Sequence, residues 1–317
     1  MNHDFEKSLC LGSGIAFAFL LLFISVSNGF IMVVLYKNPL RCFRKSFSMF
    51  LMFITAVDLY IGTVVCSGEA VMRLLCTSGD GQIPQEGDVV TILGYFGINS
   101  SILLATAMSV DRLIAIVWPH FYRRKISPRN VVLFNAVICV CSSIFASLQF
   151  AGVAMDVYRI IDVHLHTTFP LTTTTVAYLA IFFFLRKRGR VVLQKQTISA
   201  RNSTLRDIQR MKNAQIERKI AATSFLILLL LTVSLLPYFV ITLLYEKCND
   251  CDERRWFFAF KESSIVFLFV NSTVNPFLTT FRINELKHSV KIVLGLNRRN
   301  KDQGWKLPTT NFGTLNP

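Results

Sequence analysis

A chain of 317 residues that is 52% hydrophobic, with a mean hydropathy of +0.47, carries more apolar surface than a single water-soluble core can hide. Its formal charge of +15 would suit a nucleic-acid ligand, but the basic residues are concentrated between long apolar runs, which excludes that class and points to a membrane.

The apolar runs fall at 12–36, 46–75, 88–117, 131–155, 167–185, 220–245 and 256–281. Each is long enough to cross a bilayer, for which ~20 residues suffice, so an all-α bundle of seven membrane helices is expected. An odd number of crossings puts the termini on opposite sides. With the N-terminus outside, the cytosolic segments hold 26 of the 34 Lys and Arg residues, and the positive-inside rule selects that orientation. The basic excess then faces membrane lipids and cytosolic partners rather than nucleic acid. Residues 1–11 read as a short extracellular N-terminus without a cleavable signal, 12–281 as the bundle, 282–296 as an amphipathic membrane-surface helix and 297–317 as a disordered cytosolic tail.

In chain order, the first run carries Asn28, an amide that lipid cannot satisfy. The second carries Asp58, ~18 Å from Ser46 along a helix and so near the midplane. An ionisable group at that depth marks function by default. The third run ends on Asp111-Arg112, an acid and a base side by side, with Ser101 at the depth of Asp58. The fourth carries Cys139 and Cys141, read as apolar fillers. Pro170 and Pro237 interrupt the fifth and sixth runs, each expected to kink its helix, and Tyr178 lies eight residues beyond Pro170. Glu217, twenty residues before Pro237, falls near Arg112, and residues 211–222 are expected to extend the sixth helix. Cys248 and Cys251 suit a small local disulfide in an oxidising external loop. The seventh run ends on Asn271-Ser272-Thr273-Val274-Asn275-Pro276, again at the depth of Asp58, with Pro276 as a third kink.

Seven crossings, Asp-Arg ending the third and Asn-Pro in the seventh resemble the rhodopsin-like (class A) G protein-coupled receptors over about residues 12–296. Asn28, Asp58, Ser101, Pro119, Pro170, Tyr178, Glu217, Pro237, Asn271, Ser272, Asn275 and Pro276 match that family's pattern. The run from Asn275 to Leu286 looks like that of the melanocortin, adenosine and cannabinoid receptor group. The resemblance implies a receptor, not an enzyme, that passes extracellular ligand binding to a heterotrimeric G protein, with arrestin a further partner, at the plasma membrane. It implies that Arg112 pairs with Asp111 and Glu217, near Tyr178, as an ionic lock. It also implies that Asp58, Ser101, Asn271, Ser272 and Asn275 form a polar pocket, able to hold an allosteric sodium ion at Asp58 or a network of waters; no other cofactor is expected.

The departures from the pattern are specific. Leu113 follows Asp-Arg where a Tyr is usual, Thr279 stands where Asn-Pro-x-x-Tyr would close, and Ser234-Leu235-Leu236-Pro237 lacks the aromatic toggle. Those three leave a non-signalling binding, scavenger or heterodimer-partner receptor as the alternative. Gly87 replaces the usual helix-three Cys, and Cys10 and Cys76 either form a substitute bridge or are free. Gly94 replaces the Asp of amine receptors and Phe269 the Lys of opsins. The outer third offers a cup of Tyr95, Ile98, Asn99, Tyr238, Phe239, Thr242, Ile265 and Phe269, with Glu69, Arg73, Asp88 and Glu262 at its mouth, meeting a cationic peptide or only solvent. A small molecule, lipid or peptide is the expected ligand.

Overall fold

The computed structural model describes residues 3–40, 46–79, 83–85, 87–198, 226, 229–245, 248, 251, 254–282 and 284–296, with backbone alone for 188–198, 279, 281, 282, 284 and 285. The described residues form an all-helical bundle, as lipid demands, because only a helix or a closed barrel satisfies its own backbone there. Six of the helices are long and apolar enough to cross a membrane, and a shorter apolar helix spans Leu229–Tyr245. They are called helices 1 to 7 below.

Helix 1 runs His3–Lys37, so the segment expected as an extracellular tail is helical from its third residue. Asp4 and Glu6 sit in its first turn, where the helix dipole favours anions. Cys10 is bonded to Cys76, which holds that turn against the next helix. Helix 2 comprises Ser46–Tyr60, a π-turn Ile61–Val65 and Cys66–Ser78, and ends on Gly79 in the left-handed conformation that suits a C-cap. Helix 3 is Val89–Val117, followed by a short helix Pro119–Lys125.

Helix 4, Pro128–Ser147, starts with Pro at its first position and with the Ser127 hydroxyl accepting from the Asn130 N–H. It ends at Ser147, short of the expected 155, in a chain of turns. Helix 5 begins twelve residues before the expected 167, as Met155–Val163, a π-turn His164–Thr168, then Phe169–Ile198. The apolar count missed this start because Asp156, Arg159, Asp162 and His166 dilute it. Helix 6 is Leu229–Tyr245, and the expected extension over 211–222 lies outside the described residues. Helix 7, Arg255–Arg282, contains Pro276, and the terminal helix Asn284–Val293 follows. The terminal helix does more than lie on a membrane surface. Its Leu286 is fully buried against Ile31, Val34, Leu35 and Leu51.

The bundle is polar inside and apolar outside at many positions. Asn28, Asp58, Ser100, Ser101, Asn135 and Ser142 are buried, while Phe19, Leu22, Leu133 and Phe134 are exposed toward lipid. Cys141 is exposed as well, so it faces outward rather than filling the core. Pro276 illustrates how the core absorbs a helix defect. Proline has no N–H to give the carbonyl four residues back; that carbonyl, on Ser272, accepts instead from the Asn28 amide at 3.1 Å.

The π-turn in helix 2 brings Gly62 against helix 1. A Cβ there would lie 2.9 Å from the Ser25 backbone nitrogen and 2.9 Å from Ile24 Cγ2. Gly62→Ala is therefore expected to force the two helices apart at a cost of about 1–3 kcal/mol. A lowered melting temperature of the detergent-purified protein would register it, and an unchanged one would refute the close approach.

Candidate functional site

Among the described residues three polar assemblies stand out: one at the basic end, one at mid-depth and one at the opposite end.

At the basic end, Asp111 accepts from Arg112, whose Nη2 lies 2.5 Å from Oδ2, and from the Tyr122 hydroxyl, 2.8 Å from Oδ1. The Arg112 guanidinium also lies over the Phe47 ring, 4.1 Å from its centroid, a favourable cation–π arrangement. Its side chain is 24% exposed against 5% for Asp111. Burial pushes the Tyr122 phenol up to about 12, so it stays a hydrogen-bond donor at ordinary pH. Tyr178 does not meet Arg112, contrary to expectation. Its hydroxyl lies 2.9 Å from Ser109 Oγ, one turn before the pair. Glu217 lies outside the described residues. Tyr122 escaped the sequence reading because it sits in a loop helix. The available signal was Pro119, which opens a helical turn seven residues after Arg112 and puts Tyr122 ten residues after it.

At mid-depth, Asp58 is fully buried and ties three helices together. Its Oδ1 accepts from Ser101 at 2.9 Å and Ser272 at 2.8 Å, and its Oδ2 accepts from the Asn275 amide at 2.9 Å. Asn271, expected in the same cluster, is half-buried and does not bond to Asp58. It sits one helical turn before Asn275 in helix 7. The carboxylate and two hydroxyls are hard oxygen donors of the kind an alkali cation accepts.

At the opposite end lies a cavity of about 1230 Å³. Tyr95, Ile98, Asn99, Tyr238, Thr242, Ile265, Phe269 and Glu69 line it as expected, and the Tyr95 and Tyr238 hydroxyls approach to 3.2 Å. Phe239 is half-buried outside it, because Tyr238 takes the inward face of helix 6. Asp88 is an exposed loop residue that accepts from the Gln85 N–H and does not reach the cavity.

The charged mouth anticipated around Glu69, Arg73 and Glu262 is no solvated rim. All three are buried, and Arg73 Nη2 lies 3.3 Å from Glu69 and 2.9 Å from Glu262, joining helix 2 to helix 7. Removing one member of such a cluster strands charge in a poor solvent, so the three are interdependent.

Two further lining residues, Asp162 and His166, were not anticipated at all. Asp162 Oδ1 accepts from the Asn99 amide at 2.9 Å and lies 3.0 Å from His166 Nδ1, joining helix 3 to helix 5. Their i,i+4 spacing was the readable signal, lost once residues 155–166 were assigned to a loop. Cys248 and Cys251 are bonded, as expected from their spacing. The Cys10–Cys76 bond resolves the open alternative in favour of a bridge between helices 1 and 2.

A seven-helix membrane bundle with a part-buried Asp-Arg at one end and a polar-lined cavity at the other has the build of a transmembrane receptor. The chain belongs to the rhodopsin family of seven-transmembrane receptors, whose family model, 7 transmembrane receptor (rhodopsin family), matches residues 27–278. It is thus a multi-pass membrane receptor of a family that is not enzymatic. The match assigns no subgroup, and no curated protein matches the chain.

Proposed function

We propose that the protein resides at the plasma membrane with its N-terminus extracellular, and that a ligand entering the 1230 Å³ cavity is reported to a heterotrimeric G protein at the basic end. The supporting observation is the state of Arg112, held by Asp111 and the Phe47 face yet open enough to meet a cytosolic partner. Arrestin is a second partner of the same basic surface. The mixed polar and aromatic lining accommodates a small molecule or the end of a peptide or lipid. Asp58, Ser101 and Ser272 supply oxygens for an allosteric sodium ion.

Tyr122→Phe tests this directly. It deletes a hydrogen bond to a carboxylate, of the kind worth about 1.5–3 kcal/mol. If the resting conformer keeps that bond and the active one releases it, basal nucleotide exchange rises about tenfold or more. The assay is GTP analogue uptake by purified G proteins with the receptor in nanodiscs. No exchange from either form, across all G-protein classes, would overturn coupling and leave the non-signalling binding receptor.

A further inference from the structure

One groove takes no part in any of these assemblies except at its rim. It runs along helix 3 between helices 4 and 5, has a volume of about 490 Å³, and is walled by Leu103, Ala107, Val110, Phe134, Ile138 and Phe169. Phe134 and Phe169 are exposed, so the groove opens on the lipid-facing side of the bundle. From Leu103 to Ile114 the helix rises ~16 Å, giving the groove the long, narrow shape of a hydrocarbon chain rather than of a rounded ligand.

Thr106 and Thr173 are the polar residues farther along it, and its charged groups gather at the basic end, where Lys125 and Asn130 complete the lining. Arg124 and Arg129 flank them and are exposed. Helix 4 starts at Pro128, beside Asn130, so the positive field of its N-terminus adds to theirs. Asp111 borders the groove too, but Arg112 and Tyr122 occupy its carboxylate.

We propose that this groove is a binding site for one anionic glycerophospholipid, its acyl chain along helix 3 and its headgroup phosphate on Lys125. The apolar wall supplies affinity for any acyl chain; the basic end supplies the preference for negative charge. Because the occupant touches both Asp111 and the loop carrying Lys125, it braces the short helix Pro119–Lys125 in the position from which Tyr122 reaches Asp111.

The test uses the full chain purified from membranes and equilibrated with equal amounts of phosphatidylcholine and phosphatidylserine, with retained lipids counted by native mass spectrometry. Phosphatidylserine is expected to be retained preferentially. A basic residue at a membrane surface is worth about 1 kcal/mol toward an anionic lipid, or about fivefold. Lys125→Gln should therefore reduce the preference about fivefold while phosphatidylcholine is still retained. Ala107→Phe, which fills the groove, should reduce retention of both. Should that core-facing variant fail to fold, Lys125→Gln alters an exposed side chain and carries the test alone. Equal retention of the two lipids by the unmodified protein, a preference undiminished by Lys125→Gln, or preferential retention of an added sterol would each overturn the proposal.

Discussion

Arg73→Ala is expected to destabilise the folded protein by about 3–5 kcal/mol, the range for breaking a buried ion cluster from one side. Arg73 is 1% exposed, and both Glu69 and Glu262 converge on its Nη2. Without the guanidinium, two carboxylates from helices 2 and 7 face each other in a poor solvent, and the Phe17 ring loses the cation 4.9 Å from its centroid. The pair would relieve itself only by taking up protons or by moving the helix ends apart. Arg73→Lys should recover part of the loss, since an ammonium keeps the charge but not the reach and planar shape of the guanidinium. Glu69→Gln with Glu262→Gln in the Arg73→Met background should recover more, because no unpaired charge then remains. Thermal unfolding in detergent, followed by a tryptophan or thiol-reactive probe, ranks the four proteins. If Arg73→Ala unfolds within a degree or two of the unmodified protein, the cluster is solvated and the burial assigned to it is wrong.

That cluster also shows where the sequence stops being informative. The membrane class and the number of crossings follow from apolar length, and the proposed orientation rests on Lys/Arg placement; each is a sum over many residues. Asp58, Ser101, Ser272 and Asn275 were legible as one site because depth along a helix is a matter of counting, and four polar groups fell at one depth. Counting gives depth but neither contact nor facing, which is why Asn271 was grouped with them and Phe239 with the cavity. Arg73 and its glutamates were placed at the cavity mouth, open to a cationic peptide or to solvent, because each residue alone prefers water. Only the approach of helix 7 to helix 2 turns three exposed-looking charges into one buried cluster. Asp162 and His166 were lost for a different reason: helix 5 gains its first three turns from packing, with Tyr158 buried against Phe145 and Tyr95, not from an apolar run.

At Asp58 the two obvious substitutions should part company widely. Asp58→Ala removes the acceptor of Ser101, Ser272 and Asn275 at once, and Ser101 and Ser272 are buried. Each stranded buried hydroxyl costs about 1–3 kcal/mol, and because the two share one oxygen the total falls short of their sum while still reaching several kcal/mol. Asp58→Asn is nearly isosteric. Its Oδ1 still serves Ser101 and Ser272, which both use that one oxygen, and only the Asn275 contact must rearrange, its amide turning to present oxygen to the new NH₂. A loss of about 1 kcal/mol is expected for Asn and several times that for Ala. The same pair separates charge from shape for the proposed ion. A sodium ion held by this carboxylate would raise the melting temperature of the unmodified protein as sodium replaces potassium at constant ionic strength. In Asp58→Asn, which keeps Oδ1 and the two hydroxyls but not the charge, that increment should disappear. If Asn and Ala are equally damaging, the carboxylate's charge rather than its three hydrogen bonds holds helices 2, 3 and 7 together. If sodium still stabilises Asp58→Asn, the ion binds elsewhere, and Asp58 is a structural hub alone.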